Sequence, residues 1–314
     1  MDPLTHALVG VGVAALTGEK FSLANPLCTG AVLGALAPDF DIIMQLFGDL
    51  PYLTHHRGSS HSIPGVLVSS VVIALLLWLV MGGSMGLIFV LTLMGAISHV
   101  LLDILNSYGA KILWPFSQKK YSLHLLVLAD PVIIILFSGM MIWPGLPEVI
   151  ARTGFWIALI YLGLRVYFRH RIFRMIWRKF KSQGAQLVVV MPAMVSLWNW
   201  SFLVETPENF IIGEVLFFSP NPGVKKILAK CQINDYIGMA LHSKLGRLFR
   251  NFTPFFHIHH SVEDGKNVVR FCDLRYFFKE DFLHNATIVF DETQTIIDAV
   301  FQPYSRKRKI RITG

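Results

Sequence analysis

Long apolar segments alternate with short polar segments over the first 168 residues of the chain. Two apolar segments cover residues 63–81 and 85–105, and they are separated only by two glycines and Ser84. The first is uncharged, and the second is uncharged until Asp103 near its end. Each has about the 20 residues that an α-helix needs to cross the hydrocarbon core of a bilayer. Further apolar segments cover residues 3–16, 27–37, 131–143 and 149–168. The pattern predicts an α-helical polytopic membrane domain with about six short or full spans.

Beyond Gln183 the chain changes to short runs of β-branched and aromatic residues, which are typical of strands. We predict strands at residues 187–190, 196–204, 210–218, 255–262, 268–276, 287–291 and 295–301. The polar residues from Glu263 to Lys266 predict a hairpin turn, and one helix is expected within residues 224–248. We therefore expect a membrane domain (1–168), a basic juxtamembrane linker (169–182) and a mainly β extramembrane domain (183–314).

The composition supports an integral membrane protein. Hydrophobic residues make up 54% of the chain, charged residues only 15%, and the mean hydropathy is +0.54. Cys28, Cys231 and Cys272 have no paired spacing, so neither a disulfide framework nor a zinc ribbon is expected. No Lys or Arg precedes Lys20, and without a basic n-region we interpret the N-terminal segment as part of the mature protein.

Seven basic residues in and just after the last apolar segment set the predicted orientation in the membrane. They are Arg165, Arg169, Arg171, Arg174, Arg178, Lys179 and Lys181. Because cytoplasmic flanks of membrane helices carry an excess of Lys and Arg, we place this run on the cytoplasmic side of a bacterial cell membrane. Counting back through the spans also places the N-terminus in the cytoplasm. Membrane lipids are the expected partners, and nucleic acid is not.

The candidate ligands and catalytic residues then fall at the same cytoplasmic face, although the topology used only hydropathy and basic residues. They are His6, Asp39, Asp41, His55, His56, Arg57, His61, His99, Asp103 and Asp130. His99 and Asp103 are four residues apart on one predicted helix, so their side chains share a face. An aspartate near the bilayer is costly unless it is paired or coordinated. This agreement predicts a polar site at the cytoplasmic membrane surface.

The residue types in this site indicate metal chemistry. His nitrogens with Asp oxygens suit zinc best, with manganese or iron as alternatives, and the number of carboxylates allows one or two ions. The candidate ligands are His6, Asp39, His55, His56, His61, His99 and Asp103. Arg57 could neutralise a phosphate group, and we group it with Asp41 and Asp130 as candidate catalytic residues. The alternative is that hydrogen bonds in the cluster only hold helices together.

A metal with an open coordination position can activate water and polarise a phosphoryl oxygen. At the cytoplasmic membrane face, this chemistry favours a hydrolase for a phosphoester of a lipid or lipid-linked substrate. The second hypothesis is a non-catalytic membrane protein, whose β domain binds a partner protein or lipid. Metal binding distinguishes the two hypotheses, because only the hydrolase requires it.

Several sequence motifs resemble the YdjM/YfhP family of bacterial membrane-bound proteins, which are described as metal-dependent hydrolases. These motifs are M-D-P-L-T-H-A-L-V-G, A-P-D-F-D, H-R-G-S-S-H-S, S-H-V-L-L-D-I-L-N-S-Y-G, W-P-F-S-Q-K-K-Y-S-L and A-D-P, followed in the C-terminal domain by V-R-F-C-D-L-R-Y. The resemblance implies a hydrolase with its ligands in these motifs. His56 matches the first histidine of the H-R-G-x-x-H motif, and His55 remains an alternative ligand to it.

A second and weaker resemblance is to zinc-dependent phospholipase C. That family uses an early His, a following Asp, a further His and an H-x-x-x-D pair on a helix. His6, Asp39, His61 or His55, and the pair His99 and Asp103 stand in this order. The chain has no N-terminal Trp and no later H-x-x-x-E, so we expect one or two metals rather than three.

Overall fold

The computed structural model describes residues 1–18, 20–48, 57–142, 146–194, 196–219, 221–303 and 309–312. The chain forms two compact units, Met1–Phe168 and Arg169–Gly314. The first unit is helical and the second is rich in strands. Each unit is described by itself below.

Helices form almost all of the regular structure in the first unit. They are α1 (Pro3–Ala15), α2 (Pro26–Leu36), a 3-10 helix (Ala37–Phe47), a 3-10 turn (Ser59–His61), α3 (Ile63–Met81), α4 (Met85–Leu105), α5 (Pro131–Ile142) and α6 (Pro147–Phe180). Helices α1, α2 and α3 each have a capping side chain at their start and a proline in their first turn. The caps are Asp2, Asn25 and Ser62, which accept hydrogen bonds from backbone N–H groups of these first turns.

Within the described residues, four helical segments are long and apolar enough to cross a membrane. They are Pro26–Phe47, Ile63–Met81, Met85–Leu105 and Pro147–Gln183. Helices α1 and α5 are apolar but shorter, so the expected six spans become four long segments and two short helices. The sequence predicts a connecting segment over residues 42–53, whereas residues up to Phe47 form the 3-10 helix that follows α2.

Glycines bring α2 and α4 into close contact. A Cβ atom at Gly34 would lie 2.0 Å from the carbonyl oxygen of Thr92, and one at Gly30 would lie 2.7 Å from the Thr92 hydroxyl. From the other helix, a Cβ at Gly95 would lie 2.1 Å from the carbonyl oxygen of Ala31. The G-x-x-x-G spacing of Gly30 and Gly34 in the sequence predicts such a close helix approach, and the structure confirms it.

Helix α6 continues past Phe168 into the second unit and is followed by a 3-10 turn (Lys181–Gln183). Beyond this turn, the second unit contains eleven strands and two further helices among its described residues. The strands are β1 (Leu187–Pro192), β2 (Asn199–Glu205), β3 (Asn209–Leu216), β4 (Gly223–Ala229), β5 (Phe256–Glu263), β6 (Lys266–Asp273), β7 (Phe277–Phe278), β8 (Asp281–Phe282), β9 (Asn285–Phe290), β10 (Ile296–Gln302) and β11 (Ile310–Arg311). The helices are α7 (Asp235–His242) and α8 (Lys244–Phe252). Strands β1 to β4 form an antiparallel sheet in sequence order, and a five-stranded sheet has the order β11-β10-β9-β6-β5.

The strand predictions agree with this sheet topology, including the hairpin turn between β5 and β6. The prediction of one helix within residues 224–248 is wrong, because its first part is strand β4 and its second part lies in α7 and α8. Helix α8 packs Phe249 against Phe271 and Phe301 of the five-stranded sheet, with ring centroids 5.4 and 5.9 Å apart. The second unit is thus rich in strands, as predicted, and also contains packed helices.

His284 makes the stability of the second unit depend on pH. Its ring is fully buried, with the rings of Phe252 and Tyr276 at centroid distances of 4.9 and 5.7 Å. Burial lowers the pKa of His284 from 6.5 to about 4. The unfolded chain takes up a proton near pH 6.5, whereas the folded unit does so only near pH 4, so acidification between these values favours unfolding. The expected loss is about 2 kcal/mol between about pH 7 and pH 5.

Urea-dependent protease resistance of the second unit in the full-length protein measures this loss. The His284→Phe variant keeps a ring against Phe252 and Tyr276 but cannot titrate, so its stability should change much less over the same pH interval. The exposed His242 provides the control, because His242→Asn should leave the pH dependence as in the wild type. Equal pH dependence in the wild type and His284→Phe would contradict the prediction.

Candidate metal centre

Five of the predicted site residues lie together in the first unit. Three are the histidines His6, His61 and His99, and two are the carboxylates Asp39 and Asp103. The three histidines and Asp103 are fully buried, whereas the side chain of Asp39 is 19% exposed. Two groups of three residues each bring one ligand atom per residue within 4.8 Å of the others: His6, Asp39 and His99, and His61, His99 and Asp103.

Helix α4 positions two of these ligands. His99 and Asp103 are one turn apart, and His99 Nε2 lies 3.9 Å from Asp103 Oδ2. The other ring nitrogen, His99 Nδ1, lies 2.7 Å from the carbonyl oxygen of Ala35 in α2. Because a carbonyl only accepts hydrogen bonds, Nδ1 donates a proton to it, and the lone pair of Nε2 faces the cluster. The packing of α2 on α4 thereby fixes the tautomer of His99.

His61 and Asp39 reach the same point from other elements. His61 ends the 3-10 turn before α3, and its Nε2 lies 3.1 Å from His99 Nε2 and 3.3 Å from Asp103 Oδ2. Asp39 belongs to the 3-10 helix after α2, and its Oδ1 lies 3.6 Å from the Nε2 atoms of both His61 and His99. Four donor atoms from three separate segments therefore converge.

Five of the six distances among these donor atoms are close to those between the ligands of one tetrahedral metal ion. Ligand atoms about 2.0–2.1 Å from such an ion lie about 3.3–3.4 Å from one another. The five distances among His61 Nε2, His99 Nε2, Asp39 Oδ1 and Asp103 Oδ2 given above run from 3.1 to 3.9 Å. Two nitrogens and two oxygens are a donor set suited to zinc, manganese or iron. Both the chemistry and the spacing of these residues thus fit a divalent metal.

His6 lies beside this set and offers a further ligand. Its ring stacks on that of His99, with a centroid distance of 3.6 Å and an interplanar angle of 13°. His6 Nε2 lies 3.6 Å from Asp103 Oδ1, on the opposite side of the carboxylate from His61. His6 therefore belongs to the cluster, in the group of ligand atoms that it forms with Asp39 and His99.

The negative charge of Asp103 is balanced by nearby cations. Arg57 Nε lies 3.2 Å from Asp103 Oδ2, and the α-amine of Met1 contacts Asp103 Oδ1 and lies 2.9 Å from His6 Nε2. Asn106, one turn after Asp103, donates its amide to Asp103 Oδ1 at 3.1 Å. A buried carboxylate of this kind must be compensated, because an isolated charge at such a depth costs several kcal/mol.

Asp41 lies behind His61 and outside the groups of metal-ligand atoms. Its Oδ2 accepts hydrogen bonds from the backbone N–H of Arg57 at 2.9 Å and from the hydroxyl of Ser60 at 3.2 Å. That hydroxyl lies 3.0 Å from His61 Nδ1, and Asp41 Oδ2 lies 3.9 Å from the same nitrogen. Asp41 is thus positioned to orient the His61 ring, as outer carboxylates do for histidines that bind metals.

Asp130 has a different local environment. Its Oδ1 accepts hydrogen bonds from the backbone N–H groups of Val132 and Ile133 in the first turn of α5, and its Oδ2 accepts one from the Tyr161 hydroxyl at 2.9 Å. It is absent from the two ligand groups found among the described residues. These contacts account for the burial of Asp130, and its catalytic role stays a prediction.

Two predicted ligands, His55 and His56, lie outside the described residues. His56 as the ligand, with His55 as its alternative, therefore stays a prediction from the sequence. Sequence reasoning missed three contributors to the cluster: Asn106, Ser60 and the α-amine of Met1. Only Asn106 had a readable signal, because it follows Asp103 by three residues, at the end of the same helix.

Comparison with known proteins gives a family for each part of the chain. The model of the YdjM inner membrane protein matches residues 1–172, and the model of the YfhP C-terminal alpha/beta plait domain matches residues 235–311. The uncharacterized protein YfhP of Bacillus subtilis (strain 168) is 26% identical to this chain over 334 aligned positions, which cover 99% of each protein. No solved structure matches the chain. The resemblance to the YdjM/YfhP family is confirmed.

Proposed function

Because the chain belongs to the YdjM inner membrane protein family, we propose that it is a membrane-bound, metal-dependent hydrolase. Its substrate is a phosphoester of a lipid or of a lipid-linked molecule. The observation that carries the proposal is the convergence of four donor atoms from His61, His99, Asp39 and Asp103. Among these four residues, only His99 and Asp103 on α4 are close to each other in sequence.

Each residue around the site has a role that follows from its contacts. His61, His99, Asp39 and Asp103 would hold the ion, which when bound supplies a Lewis acid and lowers the pKa of water. Arg57 would bind an anionic group of the substrate, since a guanidinium matches the geometry of a phosphate. Asp41 and Ser60 would keep the His61 ring in the orientation that directs Nε2 toward the ion.

The lipid nature of the substrate is supported by the position of Asp39. This ligand lies on the 3-10 helix Ala37–Phe47, within a segment apolar enough to cross a membrane. Its neighbours on that helix are large apolar side chains that are more than half exposed: Phe40, Ile42, Ile43, Leu46 and Phe47. A substrate reaching Asp39 therefore passes an apolar surface, as a lipid would. The basic residues from Arg165 to Lys181 support a location of the site at the cytoplasmic face of the membrane.

Metal analysis and a lipid assay together test the proposal. The full-length protein, purified in detergent and incubated with Zn²⁺, is expected to retain about one or two ions per chain after desalting. Vesicles of radiolabelled phosphatidic acid and phosphatidylglycerol would then report release of a water-soluble phosphate or head group. Activity should disappear with a chelator and return with Zn²⁺. Failure to retain Zn²⁺, Mn²⁺ or Fe²⁺ would refute the metal site.

The second candidate function is a non-catalytic membrane protein whose C-terminal unit binds a partner protein or lipid. It is favoured by one observation, namely that Asp103 already has contacts with Arg57, Asn106 and the α-amine of Met1. In that case the cluster would only hold α1, α2 and α4 together. The same metal analysis separates the two functions, because a structural cluster would retain no metal.

A further inference from the structure

Arg57 and a metal ion would compete for the same oxygen atom. Asp103 Oδ2 lies 3.2 Å from Arg57 Nε, and it is also the oxygen that lies 3.3 Å from His61 Nε2. The other oxygen, Oδ1, contacts Asn106 and the α-amine of Met1. A divalent cation bound between His61, His99 and Asp103 would therefore lie close to the guanidinium. Two cations at such a distance repel each other strongly in a buried site.

The guanidinium can leave Asp103 without a rearrangement of the backbone. The main chain of Arg57 is held independently, because its N–H donates to Asp41 Oδ2 at 2.9 Å and its carbonyl accepts from the N–H of Lys111 at 3.3 Å. The side chain contacts Asn106 Oδ1 at 3.4 Å through NH1, and its Cζ lies 5.2 Å from the centre of the Tyr108 ring. Rotation of the side chain alone would redirect its charge.

A guanidinium displaced from Asp103 would gain from a second anion nearby. Its side chain is only 8% exposed, so water solvates it poorly, and a buried charge is costly unless it is offset. A phosphate group meets both needs, because it carries negative charge and accepts two parallel hydrogen bonds from an arginine. A neutral ester or an amide carbonyl carries no charge to offset that of Arg57.

We propose that Arg57 exchanges Asp103 for a phosphate group when a metal binds, so that metal and phosphate bind this site cooperatively. The inference rests on the metal site and the phosphoester substrate proposed above, and it adds the coupling between the two ligands through Arg57. Linkage requires that phosphate raise the affinity for metal by the same factor by which metal raises the affinity for phosphate. Arg57 sets this factor, because its positive charge repels the metal while it lies at Asp103 and attracts the phosphate once it has moved away.

The first test measures Zn²⁺ affinity of the full-length protein by competition with a fluorescent chelator. We expect Arg57→Gln to bind Zn²⁺ about tenfold more tightly than the wild type, since no guanidinium then competes for Asp103. Arg57→Lys keeps the positive charge and should remain close to the wild type. Arg152→Gln, which removes an exposed cation from α6, is the matched control and should leave the affinity unchanged.

The second test repeats the titrations in the presence of inorganic phosphate. Phosphate should tighten Zn²⁺ binding to the wild type about fivefold or more, a factor usual for coupled sites. In Arg57→Gln the factor should fall close to one, although this variant binds Zn²⁺ more tightly. Circular dichroism and thermal unfolding of each variant establish that it is folded.

The possible results separate this inference from the proposed function. If the wild type binds no Zn²⁺, the proposed function fails first. If the wild type binds Zn²⁺ while Arg57→Gln binds it equally or more weakly, the competition by Arg57 is refuted and the metal site stands. If phosphate tightens Zn²⁺ binding by the same factor in the wild type and in Arg57→Gln, phosphate binds away from Arg57 and the exchange is refuted. If Arg57→Gln does not fold, Arg57→Lys replaces it in the second test. Phosphate should tighten Zn²⁺ binding to Arg57→Lys by a smaller factor than in the wild type, and an equal factor would refute the exchange.

Discussion

The His99→Ala variant is expected to bind Zn²⁺ about a hundredfold more weakly than the wild type, or worse. Changes to outer residues of a metal site commonly cost 10–100-fold in affinity, and His99 would be a direct ligand. Its Nε2 is within 3.1–3.9 Å of His61 Nε2, Asp39 Oδ1 and Asp103 Oδ2, so its removal opens the centre of the donor set. Zn²⁺ competition titration of the detergent-purified protein measures the loss.

Two further variants make this result specific. His170→Ala removes an exposed histidine from α6 and should leave Zn²⁺ affinity unchanged. The double variant His61→Ala/His99→Ala should lose less affinity than the product of the two single losses, because ligands of one ion act as a unit. Wild-type Zn²⁺ affinity in both single variants would show that the cluster is structural and would favour the non-catalytic hypothesis.

The Gly95→Ala variant is expected to lose at least about 3 kcal/mol of stability, since overpacking of this severity lies at the upper end of known costs. The added Cβ would lie 2.1 Å from the carbonyl oxygen of Ala31 and 2.9 Å from the backbone nitrogen of Ala35. These are backbone atoms, so α2 must move away from α4. Ala35 also carries the carbonyl that accepts the hydrogen bond from His99 Nδ1, and Zn²⁺ affinity should fall as well.

Gly86→Ala provides a matched control on the same helix. A Cβ atom at Gly86 would meet no atom within 4 Å, and alanine favours a helix over glycine by up to about 1 kcal/mol. Thermal unfolding in detergent should therefore show a lower midpoint for Gly95→Ala and an equal or higher midpoint for Gly86→Ala. Similar midpoints for the two variants would contradict the close contact between α2 and α4.

Features that depend on local sequence were predictable from the sequence. A helix period places His99 and Asp103 on one face, and the Gly30–Gly34 spacing indicated a close helix contact, which the structure confirms. The strands of the second unit followed from runs of β-branched and aromatic residues. Where the local signal misled, a partner decided otherwise: residues 223–229 form β4 because they pair with β3. Sheet pairing overrides weak local preference.

The sequence by itself determined the class of this protein, the membrane segments and the residue types of the site. Hydropathy, charge and helix period are local properties, and each is readable over a window of about 20 residues. Only the tertiary structure decided which ligands meet. His61 and His99 are 38 residues apart in the chain, yet their Nε2 atoms lie 3.1 Å apart. That distance depends on how α3 and the 3-10 turn that carries His61 pack against α4, which no local pattern encodes.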